Sequence, residues 1–230
     1  MKPLITVEKL SFTYPDGTVA LNGVDFRLNP RETVALLGAN GSGKTTFVHH
    51  LNGILRGQGE IVVCGIPLTN STVTDIRRRI GIVFQDADDQ LFMPTVIDDV
   101  AFGPAVHGVP GEESVRRAEA ALEQVGVREG FDRAPHHLSA GEKRRVALAG
   151  VIACEPEILV LDEPTTFLDP PARRSLAALL RELPQAKVLI THDTQFAAAV
   201  ADRAVFFHAG KVIAEGTVAE LVSRFNWSSV

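Results

Sequence analysis

Apolar positions alternate with polar ones through the first third of the chain, then switch to a three-to-four-residue spacing in the middle. ITVEKLSFTY (5–14) and TVALNGVDFRL (18–28) read as an antiparallel pair turning at Pro15-Asp16-Gly17. TVALLG (33–38) is continuously apolar, as expected of a strand buried on both faces. A glycine-rich loop and a helix starting near Gly43 follow, and EIVVCG (60–65) and IGIVF (80–84) are further strands.

From about Asp86 to Glu155 the pattern predicts no strand. Glu112 to Val125 reads as an amphipathic helix with Val115, Ala118, Leu122 and Val125 on one face and Gly126 ending it. A second helix begins near Ser139. The last third alternates again. EILVLDE (157–163) is a strand, and Asp169 caps a helix with Pro170 at its first position and Pro184 past its end. KVLITH (187–192) is a strand, Thr194–Ala201 a helix, RAVFFH (203–208) and KVIAEG (211–216) strands, and Val218–Phe225 a final helix. Strands alternating with helices predict an α/β fold with a mainly parallel sheet covered on both sides.

The chain has 230 residues, room for one compact domain or a domain with an inserted lobe. A net charge of −5 gives no general affinity for nucleic acid or anionic lipid, and no direct nucleic-acid binding is expected. Cys64 and Cys154 lack metal-ligand or CxxC spacing and read as reduced core thiols. The N-terminus lacks the apolar core of a signal peptide, and the longest apolar runs, such as VALAGVIAC (146–154), are too short to span a bilayer. A chain soluble by itself, able to dock on a membrane through a partner, is the expectation.

GANGSGKT (38–45) matches G-x-x-x-x-G-K-[ST] between a predicted strand and a predicted helix. Gly41 and Gly43 let the backbone curl so that its N–H groups point at phosphate oxygens, and the helix N-terminus adds positive potential. Lys44 reaches the β- and γ-phosphates, and Thr45 offers a hydroxyl to Mg²⁺. ILVLDE (158–163) puts Asp162 and Glu163 at the C-terminal end of a buried strand, where open α/β sheets bind ligands. Asp162 can hold Mg²⁺ through water, and Glu163 can orient or activate the attacking water.

Four further features narrow the class: Gln85 after IGIVF, LSAGE (138–142) upstream of ILVLDE, Leu168-Asp169 after Glu163, and His192 ending KVLITH. With the two phosphate motifs, they resemble the ATP-binding subunit of ABC transporters along nearly the whole chain. That resemblance implies a P-loop NTPase core (1–85 and 156–230) with an N-terminal antiparallel β subdomain and an inserted helical subdomain (86–155). It also implies ATP and Mg²⁺ as cofactors. Tyr14 would stack on adenine. Gly38, Asn40, Gly41, Ser42, Gly43, Lys44, Thr45 and Thr46 would hold the phosphates. Gln85 would sense Mg²⁺ and the membrane partner, Asp162 would support the metal, and Glu163 would be the catalytic base. His192 would contact the γ-phosphate. Ser139 and Gly141 would close over the nucleotide of the opposite subunit in a head-to-tail homodimer, with Asp169 communicating across it. Read without the resemblance, Tyr14 is equally a packed strand residue, Asp169 a helix cap and His192 a strand-end histidine. The remaining histidines read as structural or solvated.

The family's signature runs Leu-Ser-Gly-Gly-Gln. Ala140 and Glu142 depart from it here, and Gly141 is kept. Ser139-x-x-Glu142 is a capping-box pattern, which folds Glu142 back onto its own helix start. Lys143, Arg144 and Arg145 read either as a basic cluster facing phosphates or a dimer partner, or as a solvated face. The segment VFQDADDQLFMPTVIDDVAFGP (83–104) resembles the ATPases of energy-coupling factor importers, and the compact chain looks most like those of the cobalt or nickel importers, which use one dedicated ATPase as a homodimer. That implies membrane subunits docking near residues 85–104 and a peripheral place on the cytoplasmic face of the membrane. Cobalt is the cargo expected, with nickel or a vitamin as alternatives. Asp86, Asp88, Asp89, Asp98 and Asp99 would make an acidic groove there, with Leu91, Phe92, Val96, Val100 and Phe102 as its apolar part. A soluble ABC-type ATPase acting on ribosomes or DNA is the competing class.

Overall fold

The computed structural model describes residues 2–227. Strands β1 (Ile5–Thr13) and β2 (Val19–Leu28) pair antiparallel, and β4 (Gln58–Val63) and β5 (Ile66–Pro67) extend them into a four-stranded sheet ordered β2-β1-β4-β5. The second sheet has six strands: β3 (Thr33–Leu37), β6 (Ile80–Val83), β7 (Ile158–Asp162), β8 (Ala186–Ile190), β9 (Arg203–His208) and β10 (Lys211–Gly216). Its order is β10-β9-β3-β8-β7-β6, and only β9 and β10 pair antiparallel. The mainly parallel sheet expected from the alternation is thus present.

Period-two burial divides this sheet into two faces. Ile158, Val160, Val188 and Ile190 pack with the antiparallel sheet and with Phe47 and Leu51 of α1 (Lys44–Leu51). Their neighbours Leu159, Leu161 and Leu189 face the helices. Those helices are α4 (Gly111–Gln124), α5 (Ala140–Ile152), α6 (Pro170–Glu182) and α7 (Thr194–Val200). The last helix, α8 (Val218–Arg224), packs on Ala35, Leu37 and Phe206.

Two further helices, α2 (Val73–Arg79) and α3 (Val96–Val106), carry weak sequence signals. In α2 only Ile76 is buried. In α3, Pro104 breaks the helical pattern, although the Thr95 side chain caps the start by accepting from Asp98 N. The buried face of α4 is Ser114, Ala118, Ala121 and Leu122, with Val125 beyond its end, and Val115 points outward. Ser114 occupies the core position because its Oγ donates to Val109 O at 3.1 Å.

Candidate nucleotide-binding site

The C-terminal ends of β3, β6, β7 and β8 converge on one cleft of about 510 Å³. The loop from β3 to α1 forms its floor. Gly38 (φ 135°) and Gly43 (φ 107°) adopt left-handed backbone, and a Cβ would lie 2.2 Å from Phe207 O at the first and 2.6 Å from Ala20 O at the second. The loop is therefore wedged between β9 and the β2 hairpin, and only glycine fits at either point. Asn40, Gly41, Gly43, Thr45 and Thr46 line the cleft. Ser42 is buried beneath, its hydroxyl without a hydrogen-bond partner among the described residues.

Lys44 curls back over the loop. Its Nζ donates to Gly38 O at 2.6 Å and Ala39 O at 2.9 Å. Burial lowers its pKa, with the Glu163 and Asp162 carboxylates opposing. Across the cleft, burial raises the carboxyl pKa of both Asp162 and Glu163, opposed at Glu163 first by the hydrogen bond from His192 N and at Asp162 by neighbouring His49 and Lys44. A buried ammonium facing two desolvated carboxyls, an unpaired hydroxyl and a helix N-terminus suits a polyanion with a divalent cation. Thr45, Gln85 and Asp162 line the same cleft and offer the oxygen donors Mg²⁺ prefers.

Glu163 has φ 43°, a left-handed conformation rare outside glycine and asparagine. Its N–H donates to Ile190 O at 2.9 Å, prolonging the β7–β8 ladder by one bond. The kink places its carboxylate by His192, whose N–H donates to Glu163 Oε2 at 3.2 Å. The His192 ring donates from Nε2 to Asn40 Oδ1 at 2.9 Å, and the same nitrogen is 3.4 Å from Glu163 Oε1. His192 thus bridges the phosphate loop and the acidic strand end. Tyr14 forms the far wall. Its hydroxyl is 3.0 Å from Thr46 Oγ1, and its ring meets Phe12 edge-on at 4.9 Å.

Ser139, Gly141 and Asp169 lie outside this cleft. Ser139 and Asp169 are the N-caps of α5 and α6, and Asp169 accepts from Ala172 N at 2.8 Å. A Cβ at Gly141 would come 3.8 Å from Ala172, so the two helix starts adjoin. Both halves of the capping box at Ser139 and Glu142 are made. Sequence reasoning missed Thr18, Val19, Ala20, Thr166 and Ile190, which also line the cleft. Only chain reversal at the β1–β2 turn brings residues 18–20 there, so no local signal marks them.

A family model described as ABC transporter matches residues 21–166. The chain belongs to the ABC transporter ATPases. It is an ATP-binding, ATP-hydrolysing domain of the P-loop NTPase class, with an antiparallel sheet subdomain and a helical insert. A provisionally named ABC transporter ATP-binding protein of Streptomyces avermitilis is 53% identical over 222 residues, covering 96% of this chain and 85% of its own. The energy-coupling factor transporter ATP-binding protein EcfA of Methanothermobacter thermautotrophicus is 45% identical over 224 residues, 95% of this chain and 72% of its own. Among solved structures, cbiO1 from Clostridium perfringens, part of the ABC transporter complex cbiONQ, superposes with a TM-score of 0.89 at 37% identity. That match covers 98% of this chain and 92% of the cbiO1 chain.

Two expectations about this ATPase need correcting. The basic run 143–145 neither forms a solvated face nor points at the phosphate cleft. Lys143 pairs with Asp88 at 2.6 Å, Arg144 is 4% exposed and binds backbone carbonyls, and Arg145 binds Val125 O and Ser175 Oγ. Folding brings the Asp88 carboxylate, the Phe84, Gln85 and Val125 carbonyls and the Ser175 hydroxyl within reach of these donors. The segment 86–99 does not form an acidic groove either. A groove of about 200 Å³ between β6, α3 and α5 contains Asp99 but also Arg77, Arg78 and His107. Asp88 is taken by Lys143, Asp98 by the Thr95 cap, and Asp86 accepts from Asp88 N. Val96 and Val100 are buried in the core, which leaves Phe92 and Phe102 exposed and edge-to-face at 5.0 Å. Among the described residues, no helix is long and apolar enough to cross a membrane.

Proposed function

We propose that this ATPase drives an energy-coupling factor importer. The observation that carries the reading is the groove between β6, α3 and α5, a few residues beyond Gln85 in the chain. Exposed Phe92 and Phe102 line it with Asp99, whose Oδ1 accepts from Phe92 N and Met93 N at 2.9 Å and so fixes the loop that carries Phe92. Two exposed aromatic rings at the rim of a groove suit a docked helix of a membrane subunit. The likeness to EcfA and to cbiO1 supports the same class. Cobalt as cargo rests only on the resemblance of this compact chain to the single dedicated ATPases of cobalt or nickel importers.

In this reading residues 1–85 with 156–230 form the nucleotide core and 86–155 the helical subdomain. Gly38 to Thr46 hold the phosphates, and Tyr14 carries the base. Thr45, Gln85 and Asp162 would hold Mg²⁺, which would neutralise phosphate charge. Glu163 is the base for the attacking water, and His192, bonded to Asn40, contacts the γ-phosphate. Ser139 and Gly141 of one copy cover the nucleotide of a second, with Asp169 at the seam. The homodimer is supported by the dimeric MJ0796 cassette, similar at TM-score 0.81 and 29% identity over 93% of this chain and 98% of that one. The protein is then peripheral, at the cytoplasmic face of the membrane.

The test is extraction of membranes in mild detergent with the tagged chain and identification of what accompanies it. A polytopic subunit with an arginine-bearing cytoplasmic helix and a metal-binding membrane subunit are expected. A vitamin-binding subunit changes the cargo and keeps the class. Ribosomes or DNA without a membrane protein overturn the transport reading.

A further inference from the structure

We infer that Arg144 is a positioning residue that fixes Gln85 in the nucleotide cleft by binding its backbone to the helix α5. The inference rests on the proposed role of Gln85 in that cleft. Strand β6 ends at Val83, so the ladder no longer holds residues 84 and 85. Their polar groups are held instead from α5. Arg144 donates to Phe84 O at 2.6 Å through one guanidinium nitrogen and to Gln85 O at 2.5 Å through the other. Two parallel donors on successive carbonyls fix the peptide between them in both direction and tilt, which a single point charge cannot do.

Other side chains complete the attachment. Gln90 Oε1 accepts from Phe84 N at 3.3 Å, while its Nε2 donates to Ala147 O of α5 at 2.9 Å. Lys143 pairs with Asp88 at 2.6 Å. The stretch from Phe84 to Gln90 is therefore tied to one helix at residues 143, 144 and 147. That helix begins at Ser139.

Arg144 is buried, and burial works against its charge with only the Asp86 carboxylate opposing. A buried cation on two carbonyls stabilises a fold weakly at best, since its desolvation offsets most of the gain. An apolar side chain of similar length would fill the slot as well. What an apolar residue would not supply is the orientation of the Phe84 and Gln85 carbonyls. Gln85 then moves with α5 and not with β6, to which it is covalently joined.

The experiment compares the purified full chain with Arg144→Met, Arg144→Lys, Gln85→Ala and the Met/Ala double variant. Amide hydrogen exchange is read first, without nucleotide. Arg144→Met is expected to speed exchange in residues 84–91 by roughly tenfold or more, with β7 and α5 still slow. Lysine, keeping charge but losing the fork, is expected to fall between. Turnover at saturating Mg²⁺-ATP is read second. Arg144→Met and Gln85→Ala should lower kcat alike with KM for ATP changed by less than about twofold, and the double variant should be no worse than Gln85→Ala.

Unchanged exchange in Arg144→Met overturns the inference, as does a double variant in which the two losses multiply. If Gln85→Ala turns over normally while Arg144→Met loosens 84–91, the role given to Gln85 fails and the tether stands.

Discussion

The Ser139 hydroxyl donates to Glu142 Oε2 at 2.7 Å, and the same oxygen accepts from Ser139 N at 2.8 Å. Glu142 N closes the box on Ser139 Oγ at 3.3 Å. The departure from the family's signature is thus absorbed by the helix start. These bonds hold the Glu142 carboxyl below its usual pKa, with Arg133 helping from 3.6 Å. Glutamine can also close a capping box. Glu142→Gln is therefore expected to leave ATP turnover equal or faster, with stability lower by at most about 1 kcal/mol. A phosphate-release assay with a melting curve checks both, and a large loss of turnover contradicts it.

Glu163→Gln should keep ATP binding and lower turnover by roughly a hundredfold or more, because the amide keeps the bond from His192 N but cannot take a proton. Equilibrium binding of labelled ATP beside single-turnover hydrolysis separates the two. Equal hydrolysis by both proteins would remove Glu163 from the role of base.

His192 joins Asn40 to Glu163 through a single nitrogen. His192→Ala should lower kcat by roughly tenfold to a hundredfold, and Asn40→Ala by less, since in the latter the imidazole stays beside Glu163. Measured kcat and KM for the two variants give the ranking, and Asn40→Ala as damaging as His192→Ala would contradict it.

Lys187 is 2% exposed in β8, with its Nζ donating to Leu183 O at 2.8 Å and Gln185 O at 2.7 Å. Burial pulls its pKa from 10.5 down to about 8. Between these values the unfolded chain binds more protons than the folded one, so this group adds stability as pH rises from about 8 to about 10.5. Denaturant melts across that window should show a steeper rise for the native chain than for Lys187→Met. Parallel curves would exclude the effect.

Phe167, four residues after Glu163, is 78% exposed at φ 63°. Left-handed backbone costs a bulky residue about 1 kcal/mol, and an exposed ring recovers little of it by packing. Phe167→Gly is expected to leave the isolated chain as stable or more stable, by up to about 1 kcal/mol. A melting temperature several degrees lower would show that the ring is packed.

The residues that bind and act lie within a few positions of one another in short motifs, which is why the chain alone revealed so much of the cleft. A phosphate loop needs glycines and a lysine at fixed spacing, and a buried strand end marks its acids by the apolar run before them. Helix caps were legible for the same reason: Asp169, Ser139 and Pro170 act on neighbours three residues away at most. Everything decided by contacts between distant segments needed the tertiary structure. The basic run 143–145 has no local partner, and its true ones are carbonyls and acids 20 to 60 residues off. Which of five aspartates faces the groove, and which apolar residues of 91–102 are buried, depended on how α3 lies between β6 and α5. Burial and pairing are properties of the assembled chain, because a polar group takes whichever partner folding brings within hydrogen-bond reach.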